Sequence, residues 1–301
     1  MGKRVLVYGT SYCPDQGYAD TMLRTWYQCL LKWNPTLHRQ YSLVIADSDS
    51  HVDFQQALET TNITYFKSDS DCLFSAPLHD DVDVNIVSFY SNIGRINGND
   101  PSRGQDGSGR AMMEGITLAI ENNCDWVVHV ETDLFTKGDR WIEKLLLMMR
   151  QGQAQFAAPR SRLHGFLETA LYAAYVPFLR EIDFVNQYNW EASENKIGPG
   201  KYPENHFERI LRNAWIRITI YGDRNDLNTI ASEDLAQQEY GYVTHVSPAV
   251  FRDALGVGAT LAQGTAFAAP QVPFRLECRD GEYQSAITGL RDLVSCRGPR
   301  E

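Results

Sequence analysis

Long apolar runs and an excess of basic residues are both missing from this sequence. No window approaches the roughly 18 consecutive apolar residues that a membrane-spanning helix needs, so we expect no transmembrane segment. Lys and Arg together number 28 against 38 Asp and Glu, which gives a formal net charge of −10 and a pI near 5.2. Because nucleic-acid affinity comes largely from clustered Lys and Arg, this balance argues against a nucleic-acid partner.

Two short motifs are missing as well. The six cysteines have no C-x-x-C spacing, and two of them fall in apolar segments with buried patterns, so we interpret them as reduced thiols. The first strand-like segment, residues 4–8, is followed by Gly9, Thr10 and Ser11 rather than by G-x-G-x-x-G, which argues against a dehydrogenase or a methyltransferase. Because the chain opens on that segment and not on a signal peptide, we expect a cytoplasmic protein.

The composition is that of an ordinary globular protein, with 43% hydrophobic and 22% charged residues in a chain of 301. Apolar segments of strand length alternate with segments whose apolar residues recur every three or four positions. The predicted strands are 4–8, 41–46, 63–66, 83–90, 155–158, 166–174, 215–221 and 242–246. The predicted helices are 20–33, 54–60, 109–121, 139–149 with Asp139 as its N-cap, 176–185, one that begins at Pro203, and 284–294. This alternation predicts an α/β fold with a mostly parallel central sheet flanked by helices.

The most informative stretch is residues 124–135, C-D-W-V-V-H-V-E-T-D-L-F, a short apolar run that ends in two carboxylates. Both faces of the run are apolar, which predicts a central parallel strand covered by helices. Glu131 and Asp133 are two residues apart and would project together from its carboxyl end, the edge where open α/β sheets bind ligands. A divalent cation is the usual partner of such a pair, and two solvated loop carboxylates are the alternative.

A long polar loop, residues 91–108, leads into the helix predicted from residue 109. Loops of this length in compact domains are usually functional or disordered. Ser108 is a suitable N-cap, and Arg110 would lie in the first helical turn, where its charge opposes the helix dipole. An anionic ligand would explain Arg110, and a solvated arginine is the alternative.

The order of these parts, together with the E-T-D strand end, resembles glycosyltransferases of the GT-A fold over about residues 4–246. The resemblance implies a catalytic domain over residues 1–250, with a Rossmann-like nucleotide-sugar half to about residue 135 and an acceptor half over 136–250, followed by a C-terminal extension, 251–301. In that family a D-x-D motif holds manganese or magnesium, which binds the diphosphate of a nucleotide-sugar donor. Here a glutamate stands at the first position of the motif.

The resemblance also implies roles for single residues. It implies Glu131, Asp133 and the late His245 as ligands of Mn²⁺ or Mg²⁺, although a lone strand histidine is also often structural. The implied contacts to a UDP- or GDP-linked donor are Thr10, Tyr12, Asp47, Arg110 and Glu131.

The implied reaction is transfer of a sugar to a hydroxyl of a glycan or other acceptor, and an inverting enzyme needs a base for that hydroxyl. Glu204 is the first candidate base and Asp234 the second, and for each the alternative is a carboxylate set favourably against a helix dipole. Two other functions stay open. A sugar nucleotidyltransferase would share the sheet, although the first loop lacks its basic, glycine-rich pattern, and a non-catalytic carbohydrate-binding protein could use the many tyrosines and tryptophans.

Overall fold

The computed structural model describes residues 4–70, 72–92, 107–160, 167, 169–188, 203–213, 218–223, 241–243, 273–277 and 287–288. Two of the site residues named above, Asp234 and His245, lie outside these ranges, as does most of the loop over 91–108. Of the helices in the described ranges, none combines the length and the apolar content that crossing a bilayer requires.

Strands and helices alternate along the first half of the chain, as predicted. The strands are β1 (Val5–Ser11), β2 (Tyr41–Asp47), β3 (Ile63–Lys67), β4 (Val84–Ser88), β5 (Trp126–Val130), β6 (Phe135–Lys137), β7 (Phe156–Arg160), β8 (Leu171–Tyr175), β9 (Ile218–Asp223), β10 (Gly241–Val243), β11 (Pro273–Glu277) and β12 (Ile287–Thr288). The helices are α1 (Gln16–Trp33), α2 (Leu37–Gln40), α3 (Phe54–Leu58), α4 (Gly107–Glu121), α5 (Trp141–Gln151), α6 (Val176–Glu181) and α7 (Pro203–Asn213).

Ten of these strands form one sheet in the order β12-β11-β9-β7-β8-β5-β1-β2-β4-β3. The half from β5 to β3 is parallel throughout, and β8 lies antiparallel between β5 and β7. The remaining two strands, β6 and β10, pair antiparallel with each other. The predicted α/β fold with a mostly parallel central sheet flanked by helices is therefore confirmed.

The strand β5 has the central position that its sequence predicts. All five of its residues are buried, and it lies between β1 and β8. One apolar cluster, which includes Trp26 of α1 and Ile142 of α5, covers one face of the sheet. A second cluster, which includes Met113 of α4 and Phe207 of α7, covers the other face. Both faces of β5 are apolar because both are covered by helices.

Three local predictions are wrong. Ser108 is not an N-cap, because the helix already includes Gly107. Asp139 does not cap α5 either, since the N-cap is Arg140, which has a left-handed φ of 54° and makes no side-chain capping bond. The helix expected over residues 284–294 is contradicted at its centre, where Ile287–Thr288 pairs with β11 as a strand.

Candidate functional site

The two acidic residues of the E-T-D motif lie in a turn at the carboxyl end of β5. The Glu131 N–H donates to the carbonyl of Ala170 at 2.9 Å, and the Leu134 N–H donates to the carbonyl of Glu131 at 3.0 Å, which closes the turn. Thr132 points inward and is buried, whereas Glu131 and Asp133 are half-buried. The turn therefore presents both carboxylates at the edge where the parallel strands end.

Close packing at Gly9 fixes this turn against β1. A Cβ atom at Gly9 would lie 2.6 Å from the Trp26 ring and 2.9 Å from the Thr132 methyl group, so only glycine fits. The Trp26 indole N–H donates to the carbonyl of Val130 at 3.0 Å, the last residue of β5. Helix α1 and strand β1 thus hold the end of β5 in place.

Tyr18, in the first turn of α1, faces the same two carboxylates. Burial raises the pKa of its hydroxyl to about 12, and the charges of Asp133, Cys13 and Glu131 add to the increase. Asp15 caps the helix by accepting from the Tyr18 N–H at 2.8 Å, which places the ring. No sequence pattern indicates Tyr18, because nothing in the chain alone shows that α1 begins beside the E-T-D turn.

The donor set at the turn fits a divalent cation. Glu131 and Asp133 supply hard carboxylate oxygens from one turn, and the charges of both raise the pKa of the Tyr18 hydroxyl. In the described part of the chain no group of three or more His, Cys, Asp or Glu residues could hold a metal ion. Magnesium is commonly held by one or two carboxylates, with phosphates and water completing its shell, so two carboxylates suffice when a diphosphate is bound.

The ends of β1 and β2 carry the residues expected to contact a nucleotide. Tyr12 is 47% exposed, so its ring is open to stacking. Thr10 is buried, and its hydroxyl lies 3.4 Å from Nε2 of His129.

Asp47 is fully buried at the end of β2, and its carboxylate is occupied within the protein. It accepts from the Ser50 hydroxyl at 2.5 Å, from the Ser50 N–H at 2.8 Å and from the Ser88 hydroxyl at 3.0 Å. Burial raises the pKa of Asp47, and the bonds from Ser50 and Ser88 oppose that increase. The Ser50 hydroxyl also accepts from the Cys13 N–H at 2.8 Å, so Asp47 orders the loop that follows β1.

Arg110 lies at the same edge of the sheet. Its neighbour Ala111 packs against Ala46 at the end of β2 and Phe89 just after β4. The first turns of α4 therefore lie over the carboxyl ends of these strands, and Arg110 is half-buried there.

His129 is buried in β5, two residues before Glu131. Burial lowers the pKa of His129 to about 4, and the Thr169 carbonyl and the charge of Asp133 only partly oppose this. The neutral ring carries one N–H, and Nδ1 lies 2.7 Å from the Thr169 carbonyl oxygen, so Nδ1 is the donor. Nε2 is then an acceptor and faces the Thr10 hydroxyl.

Glu204 is brought to this edge although it is more than seventy positions from the E-T-D motif in the chain. The Thr169 hydroxyl donates to Oε1 of Glu204 at 2.9 Å, and the next residue, Ala170, accepts from the Glu131 N–H. Glu204 lies in the first turn of α7, which begins at Pro203 and buries Phe207, Ile210 and Leu211, as the sequence predicts.

An open cavity of about 1430 Å³ lies at the opposite edge of the sheet. Its lining includes Arg4, Tyr41 and Asp125, which precede or begin β1, β2 and β5. None of the candidate site residues lines this cavity. The candidate site is therefore the edge of the sheet that carries Glu131 and Asp133.

No family model and no curated protein sequence matches this chain. Among solved structures it is similar to galactosyltransferase LgtC in complex with donor and acceptor sugar analogs, at 9% identity and a TM-score of 0.47, over 87% of this chain and 98% of that one. It is similar to mannosyltransferase PcManGT from Pyrobaculum calidifontis in complex with GDP-Man and Mn²⁺, at 12% identity and a TM-score of 0.42, over 88% of this chain and 71% of that one. A third similar structure is S. aureus TarS 1–349 in complex with UDP, at 11% identity and a TM-score of 0.42, over 89% of this chain and 67% of that one.

Proposed function

We propose that this protein is a metal-assisted glycosyltransferase that moves a sugar from a nucleoside-diphosphate sugar to an acceptor hydroxyl. The observation that supports the proposal is that three carboxylates lie at one edge of the sheet. Glu131 and Asp133 project from the end of β5, and Glu204 is tied to the adjoining segment through Thr169. This transfer requires a pair of carboxylates that can hold a cation and a third carboxylate that can accept a proton.

The donor is placed by the parallel half of the sheet. Tyr12 stacks on the nucleotide base, and Thr10 and Arg110 contact the ribose and phosphates. Asp47 acts indirectly, because its carboxylate holds the loop after β1 through Ser50. Glu131 and Asp133, with His245 as a further ligand, would hold Mn²⁺ or Mg²⁺, which neutralises the charge that the departing diphosphate gains.

Glu204 acts as the base in an inverting transfer, with Asp234 as the second candidate. As the acceptor oxygen forms its bond to C1 of the sugar, Glu204 takes the proton from that hydroxyl. The bond between C1 and the phosphate oxygen breaks, and its electron pair leaves with the nucleoside diphosphate. Holding acceptor and donor together makes this attack effectively unimolecular.

Calorimetry with UDP and GDP, in the presence of manganese and again in EDTA, tests the donor site. We expect binding that depends on the cation and is weakened in Asp133→Asn, because the carboxylates and the diphosphate repel each other without a metal. Asp81→Asn is the matched control, since Asp81 is exposed just before β4, at the opposite edge of the sheet. Equal affinity with and without the cation would contradict the metal site.

Turnover is tested by incubating the protein with a panel of nucleotide sugars, manganese and simple glycoside acceptors. Release of nucleoside diphosphate that needs both donor and acceptor would support transfer. Binding without any release, across the whole panel, would favour a carbohydrate-binding protein instead.

A further inference from the structure

We propose that Thr169 is a positioning residue for Glu204 and aims its carboxylate at the acceptor hydroxyl. This inference rests on the proposed function, because it assumes that Glu204 is the base. It adds a residue that no sequence pattern indicated, since Thr169 lies in a short connection just before β8.

The hydroxyl of Thr169 is placed to hold one oxygen of Glu204. It donates to Oε1 at 2.9 Å, and Thr169 is only 2% exposed while Glu204 is half-buried. An ionised carboxylate has only acceptor sites, about four over its two oxygens, so accepting from Thr169 does not prevent it from accepting from a substrate hydroxyl as well. The bond thereby restricts the rotation of a side chain that is otherwise flexible at the start of α7.

The carbonyls of Thr169 and of the residue after it are both hydrogen-bonded to the segment that carries the metal motif. Its carbonyl accepts from Nδ1 of His129 at 2.7 Å, within β5. The next carbonyl, of Ala170, accepts from the Glu131 N–H at 2.9 Å. Glu204 is therefore linked, through Thr169, to the same strand end that presents Glu131 and Asp133.

Two substitutions, Thr169→Val and Thr169→Ser, distinguish the effect of the hydroxyl from the effect of the side-chain shape. Valine keeps the branched shape but removes the donor, and serine keeps the donor but removes the methyl group. With UDP-GlcNAc or GDP-Man as donor and methyl glycosides as acceptors, we expect Thr169→Val to lower kcat by about 10- to 100-fold with the donor KM unchanged. Thr169→Ser should recover most of the rate, and calorimetry with UDP and manganese should give wild-type affinity for both variants.

A double-mutant comparison distinguishes positioning from a structural role. If Thr169 acts only through Glu204, Thr169→Val should cost nothing further in a Glu204→Ala background, because no carboxylate remains to be aimed. An additional loss of rate in that background, or equal rates for Thr169→Val and Thr169→Ser, would overturn the proposal. If Thr169→Val fails to fold in a thermal unfolding assay, Thr169→Ala against Thr169→Ser makes the same comparison.

The outcomes also separate this inference from the proposed function. If Glu204→Ala is impaired and Thr169→Val is fully active, the proposed role of Thr169 is wrong and that of Glu204 stands. If Glu204→Ala has the wild-type rate, Glu204 is not the base, and the proposed role of Thr169 is wrong as well.

Discussion

The hydroxyl of Thr132 donates to the backbone carbonyl of Thr10 at 2.7 Å, so the turn that carries Glu131 and Asp133 is fastened to the end of β1. Thr132 is buried, and a hydrogen bond in such a place contributes about 1 kcal/mol to stability. The Thr132 N–H donates to the same carbonyl at 3.4 Å. The middle residue of the E-T-D motif therefore holds the two carboxylates in position rather than binding a ligand.

We expect Thr132→Val to lower the manganese-dependent affinity for UDP or GDP by roughly 5- to 10-fold, the equivalent of about 1 kcal/mol. The physical reason is that the turn loses the shorter of its two hydrogen bonds to the Thr10 carbonyl. Only the bond from the Thr132 N–H at 3.4 Å is left, so the two carboxylates are held less firmly. Thr132→Ser keeps the hydroxyl and is the control. Calorimetry makes the measurement, and a valine variant that binds as well as the serine variant would show that the tie is unimportant.

Glu204→Gln should lower the transfer rate by about 10² to 10⁴ while leaving donor affinity intact. Glutamine keeps the shape and can still accept from Thr169, but it cannot take the acceptor proton. The rate of nucleoside diphosphate release and the affinity for UDP with manganese are measured on the same protein. If the rate is unchanged, either Asp234 is the base or the enzyme retains configuration, and the anomeric configuration of the product, determined by NMR, chooses between them.

Gly115→Ala should destabilise the protein by about 1–3 kcal/mol, the usual cost of overpacking a core. A Cβ at Gly115 would lie 2.1 Å from the ring of Tyr8. That ring is fully buried and cannot move away, because its hydroxyl is bonded to Tyr172 and to the Met112 carbonyl.

Gly17→Ala is the matched control for this substitution, since Gly17 is also in a helix but meets only Asp15 at 3.4 Å. There alanine should stabilise the protein by about 0.5–1 kcal/mol, because it reduces the entropy of the unfolded chain. Urea denaturation gives both free energies of unfolding. Equal effects of the two substitutions would mean that α4 shifts freely against β1.

Glu114→Gln should flatten the pH dependence of stability between about pH 5 and pH 8. Burial raises the pKa of Glu114 to about 8 from its usual 4.5, with the Phe74 N–H opposing and Glu121 adding to the increase. Between these values the folded state keeps a proton that the unfolded state releases, so stability falls as pH rises, by up to about 1.4 kcal/mol per unit.

Glutamine removes this proton and can still accept from the Phe74 N–H, which lies 3.2 Å from Oε2 of Glu114. The variant should therefore match the wild type near pH 5 and exceed it in stability at pH 8. Thermal or urea unfolding at both pH values makes the test, and parallel pH profiles for the two proteins would mean that Glu114 is ionised in the folded state.

Local sequence patterns predicted most helices and strands of the first half of the chain, and the edge of the sheet where Glu131 and Asp133 lie. The apolar run that forms β5 has buried residues at every position, and such a run predicts a strand covered on both faces. The spacing of Glu131 and Asp133 follows from the period of an extended chain, and the buried stripe of α7 follows from the period of a helix. These periodicities depend only on residues that are close together in the chain, so they can be predicted from the sequence.

Strand order and packing, in contrast, set which distant residues lie at the candidate site and which already have hydrogen-bond partners within the protein. Glu204 meets the E-T-D turn through Thr169 because β8 pairs antiparallel with β5, a pairing that no local pattern specifies. Asp47 has the same sequence context as a ligand-binding aspartate, yet three hydrogen bonds from Ser50 and Ser88 hold it inside the protein. The physical reason is that burial and hydrogen bonding depend on strand order and packing, which bring together residues that lie tens of positions apart in the chain.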